Sequence, residues 1–82
     1  MEEKRIAVAA VVIDEQKVAA EVNDVLHEYS SIIIGRMGIP YRERGVSVIS
    51  VALDAEPDLI SSLTGRLGRI SGVSVKAAIS KK

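Results

Sequence analysis

Thr64-Gly65-Arg66-Leu67-Gly68-Arg69-Ile70-Ser71-Gly72-Val73-Ser74-Val75-Lys76 carries the densest structural signals of the chain. It reads as the end of a helix, a glycine stop, a glycine turn and an edge-like strand. Gly68 is expected in the left-handed position that follows a helix. Arg66 falls in the last turn, where a cation favours the negative end of the helix dipole. Ser71-Gly72 is expected to turn the chain. Beyond it, Val73, Val75, Ala77 and Ile79 alternate with Ser74, Lys76, Ala78 and Ser80, the pattern of a half-buried strand.

Working upstream, Asp54-Ala55-Glu56-Pro57-Asp58 starts the helix that this stretch ends. Pro57 fits the first helical position, with Glu56 or Asp54 just before it. Leu59, Ile60, Leu63 and Leu67 are expected to form its buried stripe. Residues 46–53 read as a strand with Ile49, Val51 and Leu53 facing the core. Tyr41-Arg42-Glu43-Arg44-Gly45 is the turn that feeds it. A strand beginning at 32–34 is interrupted by Gly35 and Gly38, which predicts a bulge or a close backbone approach. Pro40 cannot donate to a ladder, so this strand belongs at an edge.

At the other end, residues 5–13 are apolar on both faces, which predicts a central strand. Ala7, Ala9, Val11 and Ile13 make the less bulky face, expected to pack against another subunit. A helix is expected over 15–29, with Asp14 as its N-cap. Its buried stripe is Val18, Val22, Val25, Leu26 and Tyr29.

The order is strand, helix, strand, strand, helix, strand. Two interleaved β-α-β units with both helices on one face of a four-stranded antiparallel sheet make the ferredoxin-like α+β sandwich. The 82 residues form one domain, 1–82. A domain of this size buries only about 60% of its unfolded surface. Cysteine, Phe and Trp are absent, so neither disulfides nor large aromatics reinforce the core. Both central strands carry mild, semi-apolar outer faces. A homodimer or higher homo-oligomer is therefore the expectation.

Net charge is zero, with residues 1–34 at −4 and 35–82 at +4. The folded surface is expected to mix the two sets. The longest apolar run, 6–13, is too short to cross a bilayer. Glu2, Glu3 and Asp14-Glu15-Gln16 do not suit a secretory leader, so a cytoplasmic location is expected.

The fold hosts many functions, so the residues must decide. Iron–sulfur ligation needs cysteines, which are missing. RNA recognition on the sheet needs stacking aromatics on central strands, and Tyr29 and Tyr41 stand elsewhere. An acylphosphatase-like enzyme would need an arginine and an asparagine poised for phosphate, whereas Asp14-Glu15-Gln16 in the first strand–helix connection would repel one. His27, with Asp24 and Glu28 near it, is a lone histidine on a helix and reads as solvated; no metal is assigned. No nucleophile–base pair is visible, so no catalytic residue is assigned and an enzyme is not expected. Gly35-Arg36-Met37-Gly38 and Gly65-Arg66-Leu67-Gly68 share a Gly-Arg-x-Gly pattern. A bulge and a helix stop account for them better than nucleic-acid binding does. Gly65, inside a helical turn, costs about 1 kcal/mol against Ala and has no local reason.

Three stretches carry a family resemblance: Leu26-His27-Glu28-Tyr29-Ser30, Arg36-Met37-Gly38-Ile39-Pro40, and the stretch from Leu63 to Lys76. Together they resemble the iron-only hydrogenase system regulators, over nearly the whole chain. That family looks like ACT domains and the C-terminal, ligand-sensing half of nickel-responsive regulators. The resemblance implies an ACT-like fold, sheets paired between subunits and effector binding near interfaces. Two family features are missing. Asp14-Glu15-Gln16-Lys17 replaces the Asp-x-Pro-Gly loop of amino-acid-binding ACT domains, and the nickel regulators' ligands have no match beyond His27. The length leaves no room for a separate DNA-binding domain, so any effect on transcription is expected through a partner, without direct nucleic-acid contact.

The resulting expectation is a regulatory, ligand-sensing module. Its candidate ligand contacts are Asp14, then Gly35, Arg36 and Gly38, then Gly65, Arg66 and Arg69. No cofactor is assigned. The alternative is an interaction protein that binds a partner chain through its open sheet face.

Overall fold

The structure is a computed structural model and describes residues 3–82, so Met1 and Glu2 of the expected domain lie outside the described residues. The elements are β1 (Arg5–Ile13), α1 (Ala19–Glu28), β2 (Ile33–Tyr41), β3 (Val46–Ala55), α2 (Pro57–Gly68) and β4 (Val73–Ile79). Single 3₁₀ turns precede α1 (Gln16–Val18), follow it (Ser30–Ile32) and join β2 to β3 (Arg42–Arg44). The strands form one antiparallel sheet in the order β2-β3-β1-β4, the ferredoxin-like, ACT-like arrangement.

β1 is central, paired to β3 on one side and β4 on the other, as its two apolar faces required. Its faces are assigned the other way round from the expectation. Ala7, Ala9, Val11 and Ile13 are the buried set, while Ile6 and Val8 are exposed. The physical reason is steric. β1 runs beneath the helical layer, and small residues there let the helices sit close to the sheet.

Across the sheet, Ala7, Ala9 and Val11 stand opposite Leu53, Val51 and Ile49 of β3, all buried. The helices close the core with Val22, Val25 and Leu26 from α1 and Ile60, Leu63 and Leu67 from α2. Each such aliphatic side chain contributes about 1.5–3 kcal/mol when fully buried. Leu59, expected in the α2 stripe, is exposed instead. It precedes Ile60 by one residue, about 100° around the helix, which takes it out of the buried arc.

Asp14 does not cap α1. The chain makes the 3₁₀ turn first, Val18 occupies the cap position, and no side chain caps it. The Asp14 N–H instead donates to the Gly72 carbonyl at 2.7 Å, tying the end of β1 to the turn before β4. α2 begins as read, with Glu56 extended at the cap and Pro57 in the first turn. Its end differs. Gly68 is still helical, and Arg69 closes the helix at φ −82°. The left-handed residue is Gly72, at φ +82°. Reversal is achieved by hydrogen bonds from Ile70 N–H to Leu67 and from Val73 N–H to Ile70, so the helix needs no glycine stop. A Cβ at Gly68 would meet Val75 Cγ1 at 3.4 Å, the near end of van der Waals contact.

β2 is an edge strand, and its bulge lies between Ile33 and Gly35. The strand continues through both glycines to Tyr41. Neither Gly35 nor Gly38 marks a close backbone approach, because a Cβ at either would meet nothing within 4 Å. Among the described residues, no helix is long and apolar enough to cross a membrane.

Candidate functional site

The register of β2 sorts its side chains onto two faces. Arg36 and Gly38 stand opposite Val51 and Ile49, whose side chains are buried under the helices. Met37, Ile39 and Tyr41 stand opposite Ser50, Val48 and Val46, on the other face of the sheet. The period of two along a strand produces this split.

On the helical side, an open pocket of about 170 Å³ lies between the start of α1, the second half of β2 and the start of β3. Ile13, Ile49, Ala19 and Pro40 supply apolar walls, and Asn23, Arg36 and Ser47 supply polar groups. Arg36 is held in place. Asn23 Nδ2 donates to the Ala19 carbonyl at 3.0 Å, which fixes the amide, and Arg36 Nη2 donates to Asn23 Oδ1 at 2.6 Å. Gln16 Nε2 donates to Ser47 Oγ at 3.3 Å. A guanidinium has five N–H donors, and this pairing uses one. Among the described residues no carboxylate lines the pocket. Its electrostatic character is therefore set by one arginine, and it is suited to an anion.

Arg66 has a different occupation. Its Nη1 and Nη2 donate to the two Glu28 carboxylate oxygens at 2.7 and 3.1 Å. The guanidinium carbon lies 5.7 Å from the centre of the Tyr29 ring. The Tyr29 hydroxyl and Ser62 Oγ are 2.6 Å apart. The fork-to-fork pair links the last turns of α1 and α2. Hydrogen bonding to Arg66, reinforced by its charge, holds the Glu28 carboxyl below the usual carboxylate range. The same bond raises Arg66 above the usual arginine value. This arginine is a strut between helices, with its charge paired to Glu28 and two of its donors engaged there.

The other candidates are scattered. Gly35 lies on the β2 edge opposite Ala52, just past the bulge. Gly65 is in α2, and a Cβ there would meet nothing within 4 Å. Arg69 is exposed at the C-cap of α2. Asp14 is exposed at the end of β1. Of the seven candidates, only Arg36 and Gly38 line the pocket. Sequence reading did not find Asn23, Ser47 or Gln16. Asn23 left a faint signal, as a weak helix former inside a helix. Among the described residues no three His, Asp or Glu side chains group as metal ligands, and His27 is exposed.

The opposite face of the sheet is open. Ile6, Val8, Met37, Ile39 and Tyr41 are 43–60% exposed there. Val12 and Val48 are half-buried between them, and Ser74, Lys76 and Ala78 of β4 complete the face.

Comparison with known proteins places this geometry. A family model of TM1266-like proteins, provisionally described as iron-only hydrogenase system regulators, matches residues 5–77. The solved structure of the uncharacterized protein TM1266 from Thermotoga maritima is similar at 40% identity and a TM-score of 0.92. That match covers 96% of this chain and 100% of the other. A formyltetrahydrofolate deformylase from Pseudomonas putida KT2440 is similar at 14% identity and a TM-score of 0.64, over 89% of this chain and 28% of that one. At that identity the likeness shows the fold alone. No curated protein matches the chain.

Proposed function

The chain belongs to the TM1266-like family, described as regulators, and from that premise we propose that it is a ligand-sensing regulatory module acting through self-association. The observation that carries the proposal is the two-sided β2 strand. Arg36 and Gly38 face the pocket, while Met37 faces the exposed apolar side of the sheet, and Ile39, on that side by register, also borders the pocket. A ligand that orders this edge strand acts on both at once.

The occupant of the open face is a second copy of this chain. Four strands about 4.8 Å apart and nine residues about 3.3 Å apart give a face of roughly 550 Å². Two copies then bury roughly 1,100 Å², at the lower limit of a specific interface. The association is thus expected to depend on concentration, which suits a module that switches state. Shape supports a two-fold axis parallel to the strands. It lays the bulky Met37 and Ile39 edge over the small Ser74 and Ala78 edge of the other copy, with β1 over β3. Regulation of the iron-only hydrogenase system then proceeds through a partner, without catalysis and without direct nucleic-acid contact. The ligand contacts of this reading are Arg36 and Gly38; Gly35 lies on the same strand.

Sedimentation velocity across micromolar concentrations tests the assembly. The wild type is expected to sediment as a dimer or higher oligomer. Ile39→Glu is expected to yield a folded monomer, since Ile39 is already half exposed. A monomeric wild type overturns the self-association reading. A wild type that is monomeric alone but forms a stoichiometric complex with a different protein, lost in Ile39→Glu, favours the second reading, an interaction protein using the same face. The accompanying ligand screen follows thermal stabilisation by amino acids, organic acids, nucleotides and divalent metals.

A further inference from the structure

We propose that the pocket between α1, β2 and β3 binds a small monocarboxylate with a short apolar body and no ammonium group. The inference rests on the ligand-sensing reading and names the ligand class.

The cationic group comes first. Arg36 is oriented by Asn23, itself fixed by the Ala19 carbonyl, so the guanidinium is positioned before any ligand arrives. Its remaining N–H donors have no protein acceptor among the described residues. A carboxylate matches a guanidinium fork in plane and in charge. Ser47 lies in the same pocket and accepts from Gln16, which leaves its own hydroxyl hydrogen free to donate. The free polar capacity of the site is therefore of the donor kind.

The absence of acidic side chains from the described lining sharpens the class. An amino acid brings an ammonium group that needs a carboxylate or several carbonyls. Among the described residues no acidic side chain lines the pocket, and Asn23 Oδ1 already accepts from Arg36. A multiply charged phosphate fits poorly too, because a single arginine faces a mostly apolar wall. Size gives the body of the ligand. The pocket is open at about 170 Å³, which leaves room beside Arg36 for the body of a short branched aliphatic acid.

Gly38 supplies the space. It lines the pocket on the helical face, opposite Ile49, and a Cβ built there meets nothing within 4 Å. Every larger side chain at this position enters the volume that the ligand would occupy. Gly38→Val is thus a plug that the fold tolerates, and Val suits a strand better than Gly.

The experiment is an amide-resolved NMR titration of the full chain with 3-methyl-2-oxobutanoate. Valine (the same skeleton with an ammonium), 3-methylbutanamide (no charge) and inorganic phosphate are the controls. The oxo acid is expected to shift the amides of Asn23, Arg36, Gly38 and Ser47 saturably, with millimolar affinity. The three controls are expected to bind at least roughly 10-fold more weakly, the value of one lost charge-assisted hydrogen bond. Arg36→Gln is expected to lose at least about 10-fold and Arg36→Lys less. Gly38→Val is expected to abolish the response with its thermal midpoint retained.

Unshifted amides, shifts confined to another surface, equal binding of phosphate or valine, or binding that survives Gly38→Val would each overturn the inference. A thermal-shift response to another class, with the oxo acid silent, overturns it while leaving ligand sensing intact. Silence across all classes from an oligomeric wild type removes ligand sensing as well.

Discussion

Two alanine substitutions in the stretch that closes the fold are expected to move stability in opposite directions. Gly72 sits at φ +82°, where an L side chain is strained by about 1–2 kcal/mol. A Cβ there would also stand 2.9 Å from Glu15 Cγ, so the Glu15 side chain must shift. Glu15 is held only by an exposed pairing with Lys17 at 3.5 Å, so that shift adds little. Gly65, in contrast, is helical, and a Cβ there meets open space. Ala is favoured over Gly in a helix by about 1 kcal/mol. An 82-residue chain unfolds with an entropy of about 0.17 kcal/mol/K, so about 1 kcal/mol moves Tm by about 6 °C. Gly72→Ala is then expected to lower Tm by about 6–12 °C, and Gly65→Ala to raise it by about 6 °C. Differential scanning calorimetry at one fixed protein concentration checks both, because association shifts Tm by mass action. A Gly72→Ala protein that melts with the wild type would refute the left-handed turn. A Gly65→Ala protein that melts lower would show that the space over Gly65 is filled in solution, by another copy or a ligand.

Gly68→Ala should be neutral to stabilising by up to about 1 kcal/mol, since its Cβ would meet Val75 at 3.4 Å, near van der Waals contact, whereas a left-handed stop would make it clearly destabilising. Leu63→Ala, from full burial, should cost about 2–5 kcal/mol in chemical denaturation, while the exposed Leu59→Ala should stay within about 0.5 kcal/mol. Arg66→Gln should raise the Glu28 pKa to the ordinary glutamate value, followed by carboxyl NMR. Because Glu28 is depressed when folded, its contribution to stability is present above its unfolded pKa and lost as pH falls through the folded one. The variant should lack that component of the acid dependence, and an unmoved Glu28 would deny the Arg66 pairing. If the oxo acid tightens self-association, dilution must weaken oxo-acid binding by the same factor, which titrations at two protein concentrations measure.

The fold was legible because each level of the chain agrees with the next. Apolar alternation in 46–53, the 3.6-residue stripe of α1 and the Pro57 helix start all lead to the observed elements. Where reading failed, a tertiary contact overruled a local rule. Asp14 is a good cap by type, yet its backbone is committed to Gly72 across the β1–β4 end. Gly68 is a good helix stop by type, yet it stays helical, and the reversal is made by the Ile70 and Val73 N–H groups. The two faces of β1 are both apolar, so sequence could not say which lay under the helices. Side-chain volume decided it: the small face accepts the helical layer, and Ile6 and Val8 remain outside.

The pocket was legible only in part, for a related reason. Arg36 and Gly38 were visible as an arginine and a glycine in a disturbed strand. Asn23 and Ser47 were not, since Asn23 meets Arg36, and Ser47 joins the same pocket, only after β2 folds back beside β3 and beneath the start of α1. Local patterns also gave Arg36 and Arg66 the same Gly-Arg-x-Gly setting, and the structure separates them. Arg66 meets a carboxylate that uses both prongs of its fork. Arg36 meets a neutral amide through one donor. An arginine already paired to an acid stabilises the fold and has little left to offer a ligand. One oriented by an amide, beside apolar walls and away from any carboxylate, keeps its charge available. That difference in partner, rather than any motif, makes β2 the strand on which sensing and assembly meet.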